Sequence, residues 1–129
     1  MTPEEKALVQ WRLERAREAV EEAGLPFDPG HLHAYVNRLY YACFYVVSAL
    51  LLAKGMSASK HTHVRALLHK EFIQPGIIPL KYGQIFDLLF NNRQKGDRPG
   101  PVRLGAEEVE EWLPQAREFV EYVSQLVTK

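Results

Sequence analysis

Apolar residues recur along this chain in five stretches, each at the spacing of a helix face. In the first, Val9, Leu13, Ala16, Val20 and Ala23 fall three or four apart, one stripe on a helix from Pro3 to about Ala23. Thr2 is placed to cap it, with Pro3 in the first turn and Glu5 three residues after the cap, and Gly24 and Pro26 end it. The second stretch follows Asp28-Pro29-Gly30 and runs to Lys54, where Gly55 stops it. From Ala34 to Ala53 it is apolar on nearly every side, with Asn37 and Arg38 as early interruptions and a clean run from 39 to 53. Such a helix is either the centre of a bundle or a membrane span. Fifteen clean apolar residues are short for a span of about 20, and the other helices are amphipathic, so the pattern predicts the centre of a bundle with no membrane partner.

The third stretch, 59 to 72, carries Val64, Leu67, Leu68 and Phe72 and closes at Pro75-Gly76. In the fourth, from Pro79 to about Lys95, the stripe is Tyr82, Ile85, Phe86 and Leu89, and Arg93 lies one turn further on the same side. Gly96, Pro99, Gly100 and Pro101 then demand a loop. The fifth runs from Ala106 to Val127 through Val109, Trp112 or Leu113, Ala116, Phe119 or Val120, Val123, and Leu126 or Val127, and Pro114 within it predicts a kink or a late helix start near Leu113. No strand-like alternation occurs. The expected fold is all-α: an antiparallel up-and-down bundle of four to five helices around one apolar central helix, with residues 1–129 as a single domain.

Charge changes this picture locally. The chain is neutral, with 16 basic and 16 acidic residues, yet positions 31 to 103 hold ten basic side chains against three acidic ones and all five histidines. A cationic middle between acidic ends can present a positive surface, or it can be neutralised within the fold. The single cysteine, Cys43, excludes an internal disulfide and Cys-rich zinc sites, and its apolar setting makes it an unsuitable nucleophile. The acidic opening lacks the basic-then-apolar order of a secretory signal, and a reducing cytoplasm is the expected setting. His31/His33 and His61/His63 are spaced two apart, which suits helix starts better than metal chelation, and no cofactor-binding glycine loop is present. Neither a metal nor a cofactor is expected.

Two arginines carry the candidate chemistry. Arg93, on an inward stripe, needs a carboxylate, a second chain or a bound anion. Asp97 is four residues away and offers the plain alternative of an ion pair that ties down the helix end. Arg38 is the one formal charge between Ala34 and Ala53. With Asn37 and Tyr41 it can floor a polar cleft opposite Arg93, or belong to a buried network that keeps the helices in register.

The string Asn37-Arg38-Leu39-Tyr40-Tyr41-Ala42-Cys43-Phe44 and its continuation Ala49 to Gly55 resemble the HEPN domains of prokaryotes. The likeness continues through Ser59-Lys60-His61, Val64, Lys70-Glu71-Phe72 and Arg93-Gln94-Lys95-Gly96-Asp97, over nearly the whole chain. It implies an antiparallel helical bundle, a homodimer and, in many members, pairing with a small nucleotidyltransferase in a toxin–antitoxin module. Many such domains are metal-independent ribonucleases with an arginine followed a few residues later by histidine. Arg93 matches that arginine, but residues 97 to 100 read Asp-Arg-Pro-Gly, with no histidine, and Arg98 stands where a related branch has tyrosine. The resemblance therefore implies a site of Arg93 and Asp97, with His61 as a substitute base and Arg38, Asn37, Tyr41, Lys60 and Arg98 as ligand-binding residues for RNA or a nucleotide. Two other readings stay open: an active ribonuclease toxin with an atypical base such as His61, and a non-catalytic, partner-binding bundle.

Overall fold

A computed structural model describes residues 1–25, 29–96 and 105–128. Its first helix, α1 (Pro3–Ala23), begins at the expected cap: the Thr2 hydroxyl accepts from the Glu5 amide, and the Glu5 carboxylate accepts from the Thr2 amide. A 3₁₀ turn (Pro29–His31) leads into α2 (Leu32–Ala53). Then come α3 (His61–Leu68), which passes into a π-helical turn (His69–Ile73), and α4 (Leu80–Gly96). The fifth apolar stretch is divided into α5 (Ala106–Glu110) and α6 (Trp112–Val127). The break falls at Glu111, so Pro114 sits in the first turn of α6, where its missing N–H costs no helical bond. Gly55 and Gly76, at φ of 77° and 84°, make the turns after α2 and after the π-helical turn, a conformation that suits glycine.

The elements form an all-α antiparallel bundle with α2 at its centre, touching α1, α3, α4, α5 and α6. The α1–α2 pairing is the most extensive. Both helices bury small side chains, Ala16, Ala19 and Ala23 on α1 and Ala42 and Ala49 on α2, of a size that suits close helix packing. Arg12 adds one polar tie, its Nη1 donating to the Ser48 carbonyl at 3.2 Å. Among the described residues α2 alone is long and apolar enough to cross a membrane, and 61% of its most apolar window is buried inside the bundle. Its apolar surface is used to fill a core. Val9, Leu13, Val36, Leu39, Val46, Leu50, Phe86, Leu89, Phe119 and Val123 meet there in one cluster.

Candidate functional site

Where α2, α3 and α4 converge, the core becomes aromatic. Tyr40 of α2 is fully buried, with its ring centroid 5.9 Å from Phe86 and 6.0 Å from Phe90, both on α4. A buried tyrosine needs a partner for its hydroxyl. Here it is Nδ1 of His61, 2.7 Å away, at the first residue of α3. The imidazole is fixed on its other side by stacking on Phe44, with centroids 4.3 Å apart and planes 22° apart. His61 is thereby locked in place by groups on α2.

Arg93 completes the group from α4, on the side its spacing from Leu89 predicts. Its guanidinium carbon lies 4.9 Å from the Tyr40 ring centroid and 5.8 Å from that of Tyr41. The side chain is half-buried. Its Nε is fully buried and lacks a hydrogen-bond partner among the described residues. No carboxylate among those residues pairs with it either. What holds this cation is two ring faces, which attract it without neutralising it. Burial, and secondarily the charge of Arg93, holds the His61 pKa below the ordinary histidine value of 6.5, so the ring is neutral near pH 7. Burial likewise raises the Tyr40 phenol well above its usual range, with Arg93 partly offsetting the rise, so Tyr40 keeps its proton.

The other residues singled out in the sequence fall into three places. Asn37 and Tyr41, with Arg38, line a groove of about 230 Å³ between α1 and α2, together with Arg15, Glu22 and Tyr45. Tyr41 joins this groove to the Arg93 group. Arg38 does not back Arg93 from within α2, as its place on the apolar helix had implied. It is exposed, and its Nε is 3.9 Å from the Glu22 carboxylate of α1. The reason is angular: residues two apart on a helix point about 200° apart, so a helix that turns Tyr40 toward Arg93 turns Arg38 away. Lys60 is exposed at the N-cap of α3, next to His61. Asp97 and Arg98 lie outside the described residues.

Three features had gone unmarked in the sequence. Tyr40 is one, although the need to satisfy a buried hydroxyl on a central helix was a usable signal. The second is a trio beside the site, in which Asp87 Oδ1 accepts from Arg65 Nε at 2.7 Å and lies 2.9 Å from His69 Nε2. Third, Phe90 joins this trio to the site, carrying the Arg65 guanidinium 5.0 Å from its ring while it touches Tyr40. Among the described residues no three His, Cys, Asp or Glu side chains gather as metal ligands. Cys43 is wholly buried, and burial raises its thiol pKa far above the usual value, which leaves it protonated.

The chain matches the model of the HEPN domain over residues 9–126. It is 40% identical over 127 residues to a UPF0332 protein of Thermotoga maritima, an alignment covering 98% of this chain and 96% of that protein. Two Methanocaldococcus jannaschii proteins provisionally named as toxins are also similar. One is 31% identical over 89% of this chain and 85% of its own length, and the other 29% identical over 84% and 74%. A family model spanning most of the chain, a relative aligned nearly end to end, and an all-helical bundle lead to one conclusion: the chain belongs to the HEPN domain family.

Proposed function

We propose that this HEPN protein is toxin-like and binds RNA, or a nucleotide, through a phosphate held by Arg93. The observation that carries this reading is the half-buried guanidinium, held over two tyrosine rings, whose Nε has no hydrogen-bond partner among the described residues. A buried polar group left unpaired needs a reason, and arginine is the side chain suited to holding phosphate. The protein would work in the cytoplasm as a homodimer beside a nucleotidyltransferase partner, in a module of the toxin–antitoxin type. Lys60, next to His61, would steer anions toward the site, as would Arg98.

A second reading, metal-independent ribonuclease activity, is favoured by the Tyr40–His61 pair beside Arg93. A neutral His61 that donates from Nδ1 to the Tyr40 oxygen has a free lone pair at Nε2. That atom can take the proton of a ribose 2′-hydroxyl. The 2′-oxygen then attacks phosphorus and the bond to the 5′-oxygen breaks. The products are a 2′,3′-cyclic phosphate and a 5′-hydroxyl, which takes its proton from water. Arg93 would balance the charge on the phosphoryl oxygens.

Pure protein, Arg93→Ala and His61→Ala, each titrated with RNA and then incubated with it, separate these readings. RNA bound by the wild type and by His61→Ala but not by Arg93→Ala supports phosphate binding. Cleavage lost in both variants supports the enzyme. If the wild type neither binds nor cleaves RNA and ignores nucleotides, the phosphate reading fails and a partner-binding bundle is left.

A further inference from the structure

The groove between α1 and α2 has the composition of a base-binding site and shares Tyr41 with the Arg93 group. Its walls are the rings of Tyr41 and Tyr45, whose centroids are 6.0 Å apart, and its polar groups are the Asn37 amide and the guanidiniums of Arg15 and Arg38. The Arg15 guanidinium lies 5.7 Å from the Tyr45 centroid. At the outer end Trp11 meets Tyr45 edge-on, with centroids 6.0 Å apart, and remains 50% exposed. The indole therefore keeps a face open to solvent beside the Tyr45 ring.

From Trp11 through Tyr45 and Tyr41 to Arg93 and His61, aromatic faces and cations form one unbroken track across α1, α2, α3 and α4. Two carboxylates stand on its rim. Glu18 pairs with Arg15 at 2.8 Å, and Glu22 faces Arg38 at 3.9 Å. Both are solvent-exposed pairs, of the kind that contributes little and exchanges partners readily.

We infer that this track binds single-stranded RNA, with a base in the α1–α2 groove against Tyr41 and Tyr45, a neighbouring base on Trp11, and the phosphate between groove and centre on Arg93. The inference rests on the reading of Arg93 as the phosphate site and adds the class of substrate: an unpaired strand, not a duplex or a free nucleotide. Every base offers a π-face to aromatic rings, whereas bases paired in a duplex are stacked on each other and unavailable. Arginines beside the rings hold the sugar–phosphate backbone, as in other single-strand tracks.

The test is an anisotropy titration of the full chain with a labelled single-stranded RNA of roughly eight nucleotides, its duplex form, and AMP as competitor. Trp11→Ala and Arg38→Ala are compared with Arg93→Ala, and Trp11 fluorescence is followed throughout. The track requires that the single strand bind at least about tenfold more tightly than the duplex, that it quench Trp11, and that Trp11→Ala weaken it by about fivefold or more. Arg38→Ala should lower affinity and flatten the salt dependence. Circular dichroism melts check folding, and both exposed positions allow substitution without loss of the core. If Trp11→Ala and Arg38→Ala bind like the wild type while Arg93→Ala does not, the track is overturned and the phosphate site stands. If the wild type binds no RNA, both fall. If Trp11→Ala lowers the molar mass in solution but not the affinity, the face belongs to a second copy of the chain and the track is again overturned.

Discussion

Replacing Arg93 by methionine distinguishes a phosphate-binding arginine from a structural tie. The substitution keeps the length and much of the alkyl volume, so the packing against Tyr40 is largely retained. Two effects remain, of opposite sign. The attraction of the guanidinium for the Tyr40 ring at 4.9 Å is lost, about 0.5–1 kcal/mol for a partly exposed cation. A buried donor with no partner among the described residues is removed, which returns about 1–3 kcal/mol. The net expectation is a protein as stable as the wild type or more stable by about 1–2 kcal/mol, the usual signature of a functional group held at the expense of folding. An arginine that instead tied the helix end to a buried carboxylate would leave that carboxylate unpaired when removed, a loss of about 3–5 kcal/mol.

Urea unfolding measures the difference directly, with the m-value checking that both proteins unfold from equally compact states. A second arm uses ligand linkage. RNA should raise the melting temperature of the wild type and leave that of Arg93→Met unchanged, since only a protein that binds ligand in its folded form is stabilised by it. Destabilisation of Arg93→Met by more than about 3 kcal/mol at constant m would refute the reasoning, because it would reveal a satisfied ion pair.

Three further outcomes follow from the same geometry. Tyr40→Phe removes the partner of His61 Nδ1 and should cost about 1–2 kcal/mol in urea melts while leaving RNA affinity near wild type and slowing any cleavage; unchanged stability would mean the 2.7 Å contact is energetically idle. Because the folded pKa of His61 is depressed, the unfolded chain binds its proton more readily. Wild-type stability should therefore fall as pH drops through and below 6.5, more steeply than that of His61→Gln, with the two curves running parallel above pH about 7; equal slopes on the acid side would contradict this. Gly83→Ala sets a methyl 3.1 Å from His69 Cε1 and 3.3 Å from Ile73 Cδ1. His69 is held by Asp87, so the crowding should outweigh the helix-propensity gain of about 1 kcal/mol and lower stability, and a rise in the melting temperature would show that the π-helical turn can yield.

Much of the fold was legible because its causes are local. The Thr2–Pro3–Glu5 start of α1, the glycine stop after α2 and the all-round apolarity of α2 each need only residues within a few turns. Pro114 announced a late helix start near Leu113, and α6 begins one residue earlier, at Trp112, because proline is tolerated in a first turn; what it did not announce is the short α5 before the break. The site was legible by halves. The inward position of Arg93 followed from its spacing to Leu89. Its contact with Tyr40, the Tyr40–His61 bond across 21 positions and the Arg65–Asp87 pair across 22 depend on how α2, α3 and α4 cross, which periodicity does not encode. Arg38 was misplaced for a related reason: an apolar sequence around a charge does not say which way that charge turns.

The two inward arginines of this site provide an internal comparison. Arg65 and Arg93 each set a guanidinium about one ring-width from an aromatic face, Phe90 for one at 5.0 Å and Tyr40 for the other at 4.9 Å. Arg65 also has Asp87 at 2.7 Å, and its charge is cancelled where it stands. Where Arg65 has an acid, Arg93 has rings and no carboxylate partner among the described residues, and a ring quadrupole attracts a cation without neutralising it. A chain under pressure only to join α3, α4 and α2 could have used the Arg65 arrangement twice. Burial first, and the field of Arg93 second, favour the neutral His61 imidazole that a proton acceptor requires. On the proposed reading one cation thus both attracts phosphate and adds to the burial that keeps the base beside it neutral, so removing Arg93 should abolish phosphate binding but raise the His61 pKa only in part.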